Sequence, residues 1–188
     1  MSCGPLCGHC LQEPAPFCQA LAPLAWAEPA SQLISHFKYQ ARLAPGRMLG
    51  TLLAHELRLH YADPATLPQL IVPVPLHPAK LRRRGYNQSL LLARQLGRAL
   101  ALPCAPTLLQ RLRDTPAQQG LSREQRQQNL HDAFALDAQQ ACRHAGLRSI
   151  ALVDDVVTTQ STARAVATVL QRGWDPAPDI HLWALARA

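Results

Sequence analysis

The sequence is poor in lysine and has no long apolar segment, and both absences exclude classes of protein. No apolar run reaches the roughly eighteen residues that a membrane-spanning helix needs. Lys38 and Lys80 are the only lysines, and neither follows a glycine, so the chain lacks the Gly-Lys-Ser/Thr loop of nucleotide hydrolases. Because no lysine follows residue 80, a phosphoacceptor domain, which has an early acid pair and a later lysine, is excluded as well.

Arginine takes the place of the missing lysine. Of the 19 basic residues all but two are arginines, and the formal net charge is +7 at pH 7. A guanidinium binds phosphate through two parallel hydrogen bonds, so this balance favours a phosphorylated ligand or nucleic acid, unless the arginines simply cover solvated faces. The cluster Lys80-Leu-Arg-Arg-Arg84 lies just after a predicted strand and is harder to explain as plain surface.

The overall composition is that of a globular protein. Apolar residues make up 48% of the chain and charged residues 16%, and 188 residues suffice for one core with a small appendage. The first residues, Met-Ser-Cys-Gly-Pro, show neither the basic nor the apolar region of a secretion signal. We therefore expect a soluble, cytoplasmic protein without membrane insertion.

Four of the six cysteines lie within the first eighteen residues. Without a secretion signal, such crowding indicates metal binding rather than disulfides. Cys7-Gly-His-Cys10 has the spacing of a zinc knuckle, and Cys3 and Cys18 could complete an irregular four-thiolate site; the alternative is a vestigial loop. Residues 1–30 are predicted to form a Cys-rich N-terminal arm, and residues 31–188 the main domain.

The rest of the chain alternates apolar strands with amphipathic helices. Strands are predicted at 67–76, at 149–155 and from residue 179 onwards. Apolar residues at helical spacing predict helices on either side of Pro45-Gly46, across 79–100, and up to Gly173. The polar stretch 108–136 is predicted to be a surface excursion. This alternation predicts an α/β domain with a parallel sheet flanked by helices.

Asp154 and Asp155 directly follow an apolar run. In open parallel sheets, ligands bind outside the carboxyl ends of the strands, so this position favours function. Capping of the next turn needs one acid rather than two, and a glycosidase needs its two carboxyls on opposite sides of one sugar bond. We interpret the pair as carboxylates that accept hydrogen bonds from the vicinal hydroxyls of a ribose.

The turn after these acids is rich in hydroxyl groups. Its sequence Thr158-Thr-Gln-Ser-Thr162 offers hydroxyls and backbone N–H groups at the start of a helix, an arrangement that binds anions. Acid pair and turn together predict a site for a ribose 5-phosphate.

Three separated stretches resemble one family. The sequence from Ile150 to Thr162 is similar to the phosphoribosyl diphosphate binding motif of type I phosphoribosyltransferases. The stretches 72–93 and 111–134 resemble the ComF/GntX family of competence-associated, phosphoribosyltransferase-like proteins, and the similarity spans roughly residues 5–187. The resemblance implies a type I phosphoribosyltransferase-like fold.

The resemblance also implies roles for individual residues. Asp154 and Asp155 would hold the ribose hydroxyls, and a magnesium ion would bridge the oxygens of the diphosphate. The 5-phosphate would lie in the turn formed by Thr158, Thr159, Gln160, Ser161 and Thr162. The diphosphate would lie at the loop 73–76, which includes Pro75 and Leu76, with Lys80 and Arg84 near enough to neutralise it.

The chain departs from the family pattern at two places. Family members usually carry a further Cys-x-x-Cys pair before the one that matches Cys7 and Cys10, so the zinc module is expected to be half missing. Gln160 stands where the motif prefers glycine. A glycine there allows positive φ or a close approach of backbone to phosphate, whereas glutamine adopts positive φ less freely but could donate from its amide.

Two functions follow from the resemblance. The first is a binding module for phosphoribosyl diphosphate or a ribose 5-phosphate ligand, associated with DNA uptake and natural transformation, with single-stranded DNA and the uptake machinery as partners. Tyr86, within the basic cluster, is either a stacking aromatic or an anchor of the helix start. The alternative is an active phosphoribosyltransferase that acts on an unidentified nucleobase or amine.

Overall fold

The computed structural model describes residues 15–40, 42–114 and 132–188. The strands are β1 (Gln19–Leu21), β2 (Leu24–Ala25), β3 (Leu70–Pro73), β4 (Leu109–Arg111), β5 (Phe134–Leu136), β6 (Ser149–Val153), β7 (Val156–Val157), β8 (Asp179–Trp183) and β9 (Ala186–Arg187). The helices are α1 (Ala30–Tyr39), α2 (Leu43–His60), α3 (Pro78–Arg84), α4 (Gln88–Leu100), α5 (Ala138–Arg143) and α6 (Ser161–Gly173), and a 3-10 turn covers Pro64–Thr66.

The main sheet has four parallel strands in the order β1-β8-β6-β3. Val72 of β3 lies beside Leu152 of β6, which lies beside Leu182 of β8. These central strands are almost continuously apolar because helices cover both faces. The predicted α/β class, a parallel sheet flanked by helices, is confirmed.

Alternate strand residues feed two separate hydrophobic layers. Leu70 and Val72 pack in one layer with Val166 of α6, whereas Ile71 and Val153 pack in the other with residues of α1, α2 and α4. All five side chains are fully buried. Burial of each such side chain stabilises the fold by about 1.5–3 kcal/mol. Because a shift of one residue would move every side chain into the opposite layer, the two layers fix the register of the strands and the position of their ends.

The connections that leave β3 and β6 diverge at the carboxyl ends of these strands, and the region between the two strand ends is called the crevice below. On its outer side Ile71 of β3 forms a parallel bridge with Cys104, whereas the chain leaves β6 towards β8 on the other side. Connections that diverge from neighbouring parallel strands create the switch point at which open α/β sheets bind ligands. Asp154 lies at this point, directly after β6.

One predicted helix is interrupted, and one predicted break between two helices falls at a different place. The stretch 79–100 is two helices, because Gly85 ends α3 in the left-handed conformation, with φ of 85°. The break between α1 and α2 falls before residue 43 rather than at Pro45-Gly46. Pro45 sits in the first turn of α2, where a missing N–H costs no hydrogen bond.

The prediction of a surface excursion at 108–136 is wrong at both of its ends. β4 and β5 pair antiparallel, and Leu108, Leu109 and Phe134 are buried in the α6 layer. Each of these strands has only three residues, and the long polar sequence between them dominates the hydrophobic pattern, so periodicity did not predict them. The middle of the stretch lies outside the described residues.

The N-terminal part of the described chain joins both parallel sheets. β1 adds to the edge of the main sheet beside β8, and β2 pairs with β9 in a small sheet that also contains β7. The boundary expected at residue 30 stays a prediction. None of the helices in the described ranges has the length and apolar character that crossing a membrane requires.

Candidate ligand site at the carboxyl edge of the sheet

Backbone hydrogen bonds hold the two strand ends at the crevice. The N–H of Asp154 donates to the carbonyl of Trp183 at 3.0 Å, and the N–H of Val74 donates to the carbonyl of Val153 at 2.9 Å. The ladder therefore continues one residue beyond β3 and β6. The side chain of Asp154 starts from a fixed backbone.

The carboxylate of Asp154 is joined to the start of α4. Its Oδ1 accepts hydrogen bonds from the Ser89 hydroxyl at 3.0 Å and from the N–H of Asp155 at 2.9 Å. Asn87 caps α4 by accepting from the N–H of Ser89 at 3.0 Å, and its amide donates to the carbonyl of Val74 at 3.0 Å. In the described part of the chain both side-chain hydrogen bonds of Asp154 fall on Oδ1, which leaves Oδ2 for a ligand.

The environment of Asp154 disfavours its charge. Burial and the neighbouring carboxylate of Asp155 raise the pKa of Asp154 to about 7, although Lys38 and the hydrogen bonds to Oδ1 act in the opposite direction. A carboxylate in such a site gains from any additional hydrogen-bond donor. The hydroxyls of a bound sugar would supply such donors.

Asp155 is buried and engaged by the protein itself. Its side chain accepts from the N–H of Val156 at 3.0 Å through Oδ1 and pairs with the Lys38 ammonium at 2.9 Å through Oδ2. Burial is the largest single effect and lowers the pKa of Lys38, but the charge of Asp155, the hydrogen bond to it and the charge of Asp154 together outweigh burial, so the net pKa is raised. Asp155 is only 2% exposed, and its ion pair with Lys38 joins it to α1.

The hydroxyl-rich turn connects β7 to α6 and is open to solvent. Thr158 and Thr159 are exposed, Ser161 and Thr162 are half-buried, and the hydroxyls of Thr159 and Ser161 lie 2.8 Å apart. Gln160 precedes α6 with φ of 59° and ψ of 4°, so glutamine adopts here the left-handed conformation that the motif normally gives to glycine. Positive φ, one of the two features that a glycine would allow here, is therefore present with glutamine.

The predicted diphosphate side is less completely assembled. Pro75 and Leu76 lie half-buried between β3 and α3. Lys80 pairs with Asp114 at 3.2 Å, whereas Arg84 donates to the Gln88 side chain at 2.6 Å, next to the start of α4. Arg84 thus lies beside the elements that hold Asp154, and Lys80 is directed towards the segment after β4.

Three residues of the site were not predicted from the sequence. Ser89 could have been predicted, because Asn87 is a strong N-cap that marks the start of α4 and so places Ser89 in its first turn. Lys38 carries no local signal, since only the packing of α1 brings it to Asp155. Arg111 lies in β4, where burial lowers its pKa and the charges of Asp154 and Asp114 oppose that shift.

Tyr86 anchors α1 to the segment that joins α3 and α4. Its hydroxyl donates to the carbonyl of Phe37, and the two rings are 5.9 Å apart. Burial raises the pKa of Tyr86. Of the two interpretations of this residue, the contacts match the anchor.

The zinc prediction falls mainly on residues that the structure does not describe, since Cys3, Cys7 and Cys10 lie outside its ranges. Cys18 is exposed, and its thiol donates to the carbonyl of Ile180 at 3.2 Å. Within 15–40, 42–114 and 132–188, no group of three or more His, Cys, Asp or Glu side chains could hold a metal ion. The four-thiolate site stays a prediction.

The chain is similar to proteins named for the use of DNA. It is 38% identical over 184 residues to competence protein F of Haemophilus influenzae, covering 97% of this chain and 78% of that protein. It is 37% identical over 182 residues to the DNA utilization protein YhgH of Escherichia coli K12, covering 96% and 77% of the two chains.

No family model matches the chain. Among solved structures it is similar to the protein TT1426 from Thermus thermophilus, with a TM-score of 0.37 and 16% identity, covering 76% of this chain and 83% of that one. The identity and coverage of the two sequence relatives show that the chain belongs to the ComF family, which includes competence protein F and YhgH.

Proposed function

We propose that the crevice between β3 and β6 binds the ribose 5-phosphate part of a ligand such as phosphoribosyl diphosphate, in a protein that serves DNA uptake. The observation that carries the proposal is the position of Asp154. It lies at the switch point of the sheet, one carboxylate oxygen is held by Ser89 and the backbone, and the other oxygen is left for a ligand.

A ribose suits this carboxylate because its two ring hydroxyls are hydrogen-bond donors. A hydrogen bond to a charged acceptor contributes about 1.5–3 kcal/mol, which exceeds that of a neutral pair. Asp155 adjoins the site and is held in place by its ion pair with Lys38. Direct contact of Asp155 with the sugar would first require displacement of Lys38.

The turn between β7 and α6 suits the 5-phosphate. It presents the exposed hydroxyls of Thr158 and Thr159 and the half-buried hydroxyls of Ser161 and Thr162. The positive end of the helix dipole of α6 lies at the same place, and the left-handed Gln160 keeps the backbone in a concave turn.

Magnesium fits the donor set at this edge because carboxylate oxygens are hard ligands. Oxygens of the diphosphate would supply most of the ligands of the ion, and Asp154 would be the nearest protein carboxylate. The ion, when bound, supplies positive charge that neutralises the diphosphate. Arg84, and Lys80 if it leaves Asp114, would add to that charge from α3.

The role in DNA uptake is proposed from the relatives. Competence protein F and DNA utilization protein YhgH match nearly the whole of this chain. The net charge of +7 fits a protein that works on a polyanion. Single-stranded DNA and the components of an uptake apparatus are the partners that we propose.

Calorimetric titration with phosphoribosyl diphosphate and Mg²⁺ tests the ligand. The wild type is expected to bind, and Asp154→Asn is expected to weaken binding at least tenfold, because an amide is a poorer acceptor for hydroxyls than a carboxylate. Asp175→Asn is the matched control, since this acid is exposed and follows the far end of α6. A wild type that does not bind would contradict the proposal, as would equal weakening by both variants.

A second candidate function is transfer of the phosphoribosyl group to a nucleobase or amine. The half-buried Arg111 supports it, because the charge of Asp154 acts on its pKa and a cation within electrostatic range of the site could stabilise diphosphate as it leaves. In that reaction the bond between sugar carbon and diphosphate breaks and a bond to the acceptor nitrogen forms. Release of diphosphate, measured with a panel of nucleobases and amines, decides between transfer and binding alone.

A further inference from the structure

An exposed aromatic side chain lies beside the candidate site. Tyr39, the last residue of α1, is 70% exposed. Aromatic residues make up only 5% of the sequence, so an exposed one is a candidate for function. The preceding residue, Lys38, reaches into the site and contacts Asp155. Tyr39 therefore directly follows a residue of the site, and its exposed ring lies close to the ammonium of that residue.

Two cationic side chains lie over the ring of Tyr39. The guanidinium of Arg84 lies 5.3 Å from the centre of the ring, and the ammonium of Lys38 lies 5.9 Å from it. Arg82 and Arg83, exposed in the last turn of α3, extend the positive surface beyond Arg84. The hydroxyl of Tyr86 is already used by the carbonyl of Phe37, so of these two tyrosines Tyr39 is the one with an accessible ring.

We propose that Tyr39 is a stacking surface for an unpaired base of single-stranded DNA, with Arg82, Arg83 and Arg84 binding the phosphates on either side of that base. A solvent-exposed ring with cationic side chains close to it offers a base both stacking and neutralisation of its flanking phosphates. The surface formed by these four residues is called the stacking edge below. It rests on the proposed role in DNA uptake for the choice of polymer.

The extent of the positive charge favours a strand over a single nucleotide. The one phosphate of a nucleoside monophosphate would be satisfied by the turn at α6 or by Arg84 alone. Arg82 and Arg83 are two further exposed cations in the same last turn of α3, and a polymer with one phosphate per nucleotide can use them.

Fluorescence anisotropy with two labelled strands of about 20 nucleotides tests the stacking edge. One strand is oligothymidylate, and the other has the same backbone without bases. Tyr39→Leu is expected to weaken binding of oligothymidylate roughly 5- to 100-fold and to leave the abasic strand unaffected, whereas Tyr39→Phe should bind both strands as the wild type does. Trp26→Leu is the matched control, because Trp26 is another exposed aromatic.

The arginines are tested by the dependence of affinity on salt. Arg82→Ala/Arg83→Ala is expected to reduce the slope of log affinity against log salt by about 1.4, since each contact to a single strand contributes about 0.7. Arg143→Ala/Arg172→Ala removes the same charge from exposed positions on α5 and α6 and should not change the slope.

The proposal is overturned if the wild type does not bind oligothymidylate, or if Tyr39→Leu affects both strands equally. It is also overturned if Tyr39 matters for free nucleoside monophosphates but not for the strand. Its failure is separable from that of the ligand proposal, because phosphoribosyl diphosphate is titrated independently. Loss of strand binding in Tyr39→Leu, with no binding of that ligand by the wild type, would leave the stacking edge standing alone.

Discussion

At the scale of single residues, Gln160 combines a sequence departure with an observed strain. A side chain with a Cβ in the left-handed region costs about 1–2 kcal/mol, and Gln160 adopts φ of 59° without capping α6 through its side chain. The family motif places glycine here, where that cost vanishes. Gln160 is the residue of this turn with positive φ, so we expect it to carry the strain.

Gln160→Gly is therefore expected to stabilise the protein by about 1 kcal/mol, measured as the free energy of unfolding in urea. Gln139→Gly is the matched control. Gln139 is exposed within α5, where glycine is expected to destabilise by about 1 kcal/mol because it has more freedom in the unfolded chain. If both glycines destabilise alike, Gln160 is unstrained and the turn does not need positive φ.

The charge of Asp154 destabilises the folded protein. Its folded-state pKa is raised to about 7, so the folded state binds a proton more tightly than the unfolded state does. The resulting stabilisation is complete below the ordinary pKa of the carboxyl group and is lost as pH rises to about 7. The charged form persists at neutral pH at the expense of stability.

Asp154→Asn is expected to be more stable than the wild type at pH 8, by a difference that shrinks as pH falls from about 7 to 4. Within that window the difference changes by at most about 1.4 kcal/mol per pH unit. Thermal unfolding of both proteins across this range measures it. An Asn variant that is less stable at pH 8 would show that Asp154 is a structural carboxylate, retained for packing rather than for a ligand.

At the scale of elements, one ion pair joins α1 to the end of β6. The Lys38 ammonium lies 2.9 Å from the carboxylate of Asp155, and the Asp155 side chain is almost fully buried. Breaking a buried pair leaves one charge without compensation, which costs more than the pair itself contributes. The pair therefore fixes the position of α1 and with it the position of Tyr39.

Lys38→Met is expected to destabilise the protein by about 2–3 kcal/mol, slightly below the usual range because Lys38 is partly exposed. Lys80→Met is the natural control, since the other lysine of the chain pairs with the exposed Asp114 and should lose much less. Chemical denaturation measures both variants. The double variant Lys38→Met/Asp155→Asn should recover most of the loss; if it does not, the two side chains act independently.

Sequence patterns predicted the elements better than their contacts. The apolar run before Asp154 predicts a parallel strand that is buried on both faces, because such a strand carries no polar side chains until it ends. The partners of the acids were another matter: Ser89 lies 65 residues away and Lys38 more than a hundred, and no period or spacing links them. Local chemistry located the site, whereas the packing of α1 and α4 completed it.

At the scale of the whole molecule, two hydrophobic layers hold a sheet whose carboxyl edge carries the unusual residues. The α6 layer positions the hydroxyl-rich turn, and the layer of α1, α2 and α4 positions Lys38, Tyr39 and Ser89. The crevice thus lies where elements from both layers meet. This arrangement explains how a ligand site and a basic surface can adjoin in a chain of 188 residues.

The central claim is that Asp154 recognises the vicinal hydroxyls of a ribose. Affinities for ribose 5-phosphate and 2-deoxyribose 5-phosphate, measured by calorimetry in the wild type and in Asp154→Asn, test it most directly. The wild type should prefer ribose 5-phosphate about tenfold or more, because the deoxy sugar leaves one hydrogen bond to the carboxylate unmade, and Asp154→Asn should largely lose the preference. Equal affinities of the wild type for the two sugars, or a preference that survives in Asp154→Asn, would contradict the claim.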